Sequence, residues 1–225
     1  MKKTSIVCTL LVLAAATASA QDPVKVAPNQ VKVVLENDYV RVLSWTENPG
    51  DKTPMHEHPA LVSVSFSAGK TRFTLPDGKT REATSKAGQA TWSDPEKHAS
   101  ENLATARGQV IQVELKRKPA AAQTQLAAAE DSVAVDPKHY KVEFQNDRVR
   151  VLRIQYGPNE KSVMHAHPAN VAVFMTDTHG KFTFPDGTTA PADRKAGDVQ
   201  WTDAGKHLPE NVGTKPFEVI LVELR

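Results

Sequence analysis

Cysteine is nearly absent from this chain: there is one in 225 residues, Cys8, and it lies inside an apolar run close to the N-terminus. A disulfide framework is therefore excluded. Aromatic residues make up 6% and no basic run is interleaved with them, so the electrostatic footprint of a nucleic-acid binder is missing. Long helical periodicity is scarce too, which argues against a helical bundle. What is present, 40% hydrophobic and 24% charged residues, suits a folded globular protein rather than a disordered one.

Residues 1–20 read as a secretory signal peptide. Lys2 and Lys3 precede the apolar run from Ile6 to Ala16, and Ala18-Ser19-Ala20 supplies a small-x-small cleavage site before Gln21. The run is too short, and ends too polar, for a membrane-spanning helix. Cleavage would remove Cys8 and both lysines, taking the formal charge from +2 to zero. The expectation is a periplasmic or secreted protein, with no membrane attachment after cleavage and a small molecule as its ligand or substrate. Homo-oligomerisation is left open.

The chain is written twice. An offset of 109 residues, without gaps, aligns "NDYVRVL" with "NDRVRVL", "LPDGKT" with "FPDGTT" and "IQVEL" with "ILVEL". This points to an internal duplication of a unit of roughly 90 residues, too few copies for a solenoid. The expected boundaries are 24–116 for the first unit and 136–225 for the second, with an Ala/Gln-rich linker at 117–135. Within each unit, alternating runs such as "VRVLSW" and β-branched runs such as "LVSVSF" read as short strands separated by Pro-Asp-Gly turns. The predicted fold is all-β: two tandem antiparallel β-barrels.

Eight histidines are present, and six occupy matched places: His56, His58 and His98 in the first unit, His165, His167 and His207 in the second. Residues i and i+2 of a strand share a face, so each His-x-His pair points one way. The third histidine follows 40 residues later, far enough for the chain to return antiparallel beside the first strand. Three neutral imidazoles suit Fe, Mn, Ni, Zn or Cu and leave open positions for water or substrate. Glu57 is exchanged for Ala166 and Ala99 for Leu208, yet all six histidines recur.

These features together, a Pro/Gly turn, His-x-His-Pro, Pro-Asp-Gly, Ala-Gly, then Trp and a third His before Glu-Asn, resemble the cupin superfamily, here as a bicupin. The segments "HPA", "KAGQATW" and "HASEN" are similar to compact cupins of the β-alanine-degradation type. The resemblance implies a conical double-stranded β-helix, or jelly roll, with a metal bound inside near one mouth. Many such proteins place a glutamate three or four residues after His-x-His; here those positions are Val62 and Ser63, and Val171 and Ala172. A three-histidine site keeps the full charge of a divalent ion and favours a chelating anion. Dioxygenase, lyase or isomerase chemistry on a small anionic oxygenated metabolite fits this pattern. A non-catalytic periplasmic module that binds or senses a metal or small ligand fits it as well.

Further candidates flank the third histidine. Strand alternation puts Asn102 and Asn211 on the histidine face as substrate-orienting groups; Glu101 and Glu210 would turn inward only if the alternation broke. Trp92 and Trp201 are candidates for a pocket wall or for core. Phe73, Phe182 and Phe184 are core candidates. Arg41 with Glu114, and Arg150 with Glu223, are expected to form cross-strand ion pairs where first and last strands close each barrel.

Overall fold

The computed structural model describes residues 21–225; the expected signal peptide lies outside the described residues. No helix among them is long and apolar enough to cross a membrane. The first unit folds into two antiparallel sheets. One runs Val31–Glu36, Val40–Glu47, Gly108–Leu115, Leu61–Ser65, Ala90–Ser93, and the other Lys52–His58, Glu96–Asn102, Gly69–Thr74, Thr80–Ser85, in spatial order. The second unit repeats this arrangement. Its sheets run Tyr140–Gln145, Val149–Tyr156, Phe217–Leu224, Asn170–Phe174, Val199–Thr202, and His165–His167, Gly205–Asn211, Gly180–Thr183, Thr189–Pro191. The all-β reading holds.

Local chemistry explains the joints. Gly78 and Gly187, in the two Pro-Asp-Gly turns, both have φ of +82°, a backbone state that glycine enters without a Cβ clash. Where the first unit has Gly50 at φ 80°, the second has Asn159 at φ 58°, the polar residue that best tolerates the left-handed region.

Smaller apolar clusters lie within each unit, around Leu43 and Trp45 in the first and Leu152 and Phe174 in the second, but the largest is not packed where a lone barrel would place it. That cluster takes seven buried residues from each unit at matched positions, among them Val42, Val62 and Ile111 opposite Val151, Val171 and Ile220. Each five-stranded sheet therefore turns one face inward to its own barrel and the other, β-branched face against the partner barrel. Trp92 and Trp201 pack against this layer, and Tyr39 of the first unit stacks on Trp201 of the second at 5.5 Å. Of the two readings open for the tryptophans, core packing is the one found.

Both units reach further upstream than the composition suggested. Asp22 caps the short helix Pro23–Val26 and pairs with Arg41 at 2.6 Å, while Asp131 caps Ser132–Val135 and pairs with Arg150 at 2.6 Å. The second barrel thus begins at Asp131, inside the segment expected to be linker. Four-residue helices carry too little periodicity to be read from sequence. The remaining linker is also docked, since the Ala169 amide donates to the Gln123 carbonyl at 2.8 Å.

Candidate metal centre

In each unit the His-x-His strand pairs with the strand carrying the third histidine, in a register that sets His56 directly opposite His98 and His165 directly opposite His207. The candidate ligand atoms of each trio lie within 4.8 Å of one another. No carboxylate joins either trio among the described residues, as expected from Val62, Ser63, Val171 and Ala172. All six imidazoles are buried or nearly so.

The other ring nitrogen is committed in five of the six histidines. In the first unit His56 Nδ1 meets the Pro54 carbonyl at 2.7 Å, His58 Nδ1 the Glu114 carboxylate at 2.7 Å, and His98 Nδ1 the Glu96 carboxylate at 2.8 Å. In the second, His165 Nδ1 meets the Val163 carbonyl at 2.8 Å and His167 Nδ1 the Glu223 carboxylate at 2.7 Å. Carbonyls and carboxylates accept, so these Nδ1 atoms carry the protons and the Nε2 lone pairs are left facing inward. His207 instead stacks on Phe182 at 4.6 Å.

Two lone pairs then confront each other: His165 Nε2 and His167 Nε2 are 3.1 Å apart, with neither proton available to share. Two nitrogens bound at about 2.1 Å to one ion, at 90–109°, stand roughly 3.0–3.4 Å apart. The donor set therefore fits a divalent metal and is poorly satisfied without one.

Behind the ligands lies a second shared device. Arg41 and Glu114 are direct cross-strand partners, as are Arg150 and Glu223, and their side chains pair at 2.6 and 2.5 Å. Each glutamate holds the arginine with one oxygen and a histidine of the trio with the other. Burial works to raise the Glu114 carboxyl, but hydrogen bonds from His58 and Arg41 outweigh it and hold it below the ordinary value. Each His58 or His167 ring is thus tied through glutamate and arginine to an aspartate at the head of its unit, Asp22 or Asp131.

Burial drives the histidine pKa values down: His56 and His165 each fall to about 4, and His98 and His207 are lowered too. Neutral imidazole is the metal-binding form, so the centres are ready for a cation at neutral pH. The same shift predicts how the metal-free protein responds to acid. Between pH about 6.5 and about 4 the unfolded imidazoles take up protons that the buried ones refuse, so stability falls as pH falls through that window. The melting temperature of metal-free protein should drop across it; a flat profile contradicts the burial of neutral histidines.

The cavities around the two trios differ. The first, about 310 Å³, is lined with polar groups including Glu47, Ser63, Ser65, Ser100 and Gln112. The second, about 230 Å³, is lined by Tyr156, Ala172, Phe174, Phe182, Pro209 and Leu221, among others. Glu47 stands out. Its carboxyl makes no ion pair or hydrogen bond among the described residues, and burial, with a smaller push from Asp51, raises its pKa. Sequence reading passed over it because it lies beyond the matched motifs, its counterpart in the second unit being Tyr156.

The remaining candidates are placed as follows. Asn102 and Asn211 do share the histidine face, but four residues along a strand is about 13 Å. They lie beyond the cavities, where Asn102 donates to the Asn48 carbonyl at 3.0 Å and Asn211 to that of Gly157 at 2.8 Å, holding loops closed. Glu101 faces outward and pairs with Arg72 at 3.1 Å and Lys52 at 3.4 Å. Glu210 pairs with Lys181 at 2.9 Å at the edge of the second cavity. Trp92 and Trp201 line neither cavity; they stay in the layer between the barrels. Phe73, Phe182 and Phe184, expected as core, are instead cavity walls.

Solved structures with the same architecture are numerous. An oxalate decarboxylase from Bacillus subtilis matches with a TM-score of 0.60 at 12% identity, covering 86% of this chain and 70% of that one. A barrel protein from Leptotrichia buccalis, described as a cupin 2 conserved barrel domain protein, matches with a TM-score of 0.53 at 14% identity, over 87% of this chain and 88% of that one. This is the cupin fold. The oxalate decarboxylase of Lactobacillus farciminis, solved as a formate complex, shares it with a TM-score of 0.57 at 12% identity, over 83% of this chain and 77% of that one. At such identities the cupin likeness speaks to the fold alone. No family model and no curated protein matches the chain.

Proposed function

We propose that the protein is an exported bicupin, formed by internal duplication, with one divalent-metal centre per barrel, His56, His58 and His98 in the first and His165, His167 and His207 in the second. Its ligand is a small anionic, oxygenated metabolite, and its chemistry is of the lyase, isomerase or dioxygenase type. The observation that carries the reading is the pair of facing Nε2 atoms at 3.1 Å, each with its Nδ1 proton already committed. The manganese centres of a Bacillus subtilis oxalate decarboxylase of the same fold, matched with a TM-score of 0.58 at 11% identity, make manganese the first metal to try.

A divalent ion held by three neutral imidazoles acts as a Lewis acid toward ligand oxygens. The chain supplies the rest. Glu114 and Glu223 hold the His58 and His167 rings in one tautomer, and Glu47, a free carboxyl with a raised pKa in the first cavity, is placed to hold or accept a proton. That free carboxyl favours enzyme over passive binding module.

Metal analysis tests the reading. After reconstitution with Mn, Fe, Ni, Zn and Cu, the protein should carry about two equivalents, and His98→Ala or His207→Ala about one. Less than about a tenth of an equivalent in the unsubstituted protein sinks it. Turnover of a keto-acid, hydroxy-acid or diketone that is lost in Glu47→Gln, with metal content unchanged, separates enzyme from binding module.

A further inference from the structure

The two barrels keep the same six ligands and the same glutamate–arginine support, yet their cavities have exchanged chemistry position by position. Ser63, Ser65 and Gln112 in the first face the cavity where the second has Ala172, Phe174 and Leu221. Charge is placed differently as well: Lys181, Lys206 and Glu210 line the second cavity, without a counterpart to the arginine of the first. Arg81, paired with Glu96 at 2.6 Å and stacked over Phe73, lines the first cavity, and the matched residues of the second unit are Ala190 and Gly205. Leu61, matched by Asn170, runs the other way, but the exchanges at Ser63, Ser65, Gln112, Glu47 and Ser100 all replace a polar group of the first cavity by an apolar or aromatic one in the second.

Two atoms in the first cavity sharpen the contrast. The Trp45 indole N–H and the Gln112 side-chain carbonyl are buried without a hydrogen-bond partner. A buried donor or acceptor left unpaired is costly, so both favour a guest that brings a partner. Hydroxyl groups, which accept and donate, answer both. At the same two positions the second barrel has Ile154 and Leu221, which ask for nothing polar. Around them Tyr156, Phe174, Phe184 and Phe217 offer flat apolar walls that suit a ring or branched chain.

We propose that the two centres take different ligands: the first barrel a compact hydroxylated acid, the second an oxygenated acid with an aromatic or branched apolar body. The inference rests on the metal-centre reading above and divides its ligand class between the barrels.

Calorimetric titration of the reconstituted protein with tartrate and phenylpyruvate tests it, with metal content measured on the same samples. Both probes chelate through a carboxylate and an adjacent oxygen, and differ in the body they carry. Tartrate binding should survive His207→Ala and be lost in His98→Ala; phenylpyruvate should do the reverse. The double variant Ser65→Phe, Gln112→Leu gives the first cavity residues that the second already accommodates. It should weaken tartrate by roughly tenfold or more, the scale of one buried polar group left unanswered, and let phenylpyruvate bind the first centre. Two bound metals with both probes filling both centres alike, or neither probe binding, overturns the division and leaves the metal reading standing. Absence of metal sinks the metal reading, and the double variant titrated without metal then still decides the division: no change in probe preference overturns it.

Discussion

Glu114→Ala should destabilise the protein by about 3–5 kcal/mol, the usual cost of removing one partner from a buried ion pair. The carboxylate is 1% exposed, holds the Arg41 guanidinium at 2.6 Å and the His58 ring at 2.7 Å, and both would be left facing a void. Glu223→Ala should do the same to Arg150 and His167 in the second barrel. A second effect separates this from generic damage. Without an acceptor at Nδ1, His58 loses its fixed tautomer, and metal affinity at the first centre should fall by about 10–100-fold while the second is spared. Glu36→Ala is the control. Its partner Lys116 is 40% exposed and Glu36 47%, and such a surface pair is worth at most about 1 kcal/mol. Denaturant unfolding and metal titration read both effects; equal losses from Glu36→Ala and Glu114→Ala would remove the buried carboxylate from its role.

The second large effect lies between the barrels. Ile111→Ala and Ile220→Ala each open a hole in a fully buried layer, at a cost of about 2–5 kcal/mol depending on how far the neighbours relax. Because the layer takes seven side chains from each unit, the loss should weaken both barrels together. One unfolding transition is expected, with the midpoint moved to lower denaturant and coincident traces from circular dichroism and tryptophan fluorescence. Trp45 reports from inside the first barrel, and Trp92 and Trp201 from the layer itself. Two separate transitions in the unsubstituted protein would contradict a shared core.

The sequence made the histidines legible because their chemistry depends only on parity and return distance. His56 and His58 share a face by alternation, and the 40-residue return that brings in His98 is met by its register opposite His56. Alternation was right for Asn102 as well, and still misplaced it. Parity says which face a side chain is on but not how deep along the strand it lies, so an asparagine one step past Ser100 looked like a cavity residue when it closes a loop. Trp92 could not be assigned because the polar side of its strand, Thr91 and Ser93, lines the cavity, so polarity marks the barrel interior there rather than the outside. Glu47, Trp45 and Gln112 escaped for the opposite reason. They sit where the two units differ, and matching one unit against the other passes over unmatched residues. The docking of Asp22 and Asp131 was invisible because a capping aspartate in a proline-flanked segment reads like any turn residue.

The inward and outward faces of these barrels have a further consequence. The first barrel turns serines, a glutamate and a glutamine toward its own interior and valines and an isoleucine toward its neighbour, so its greasiest surface is the one it would present to water if it were alone. A separated half would be a sticky object, prone to seize another copy of itself or to precipitate, because a contiguous apolar patch of that kind is rarely left bare. The docked segment that joins the barrels therefore does more than connect them: it keeps the effective concentration of each apolar face for the other high enough that neither goes looking elsewhere.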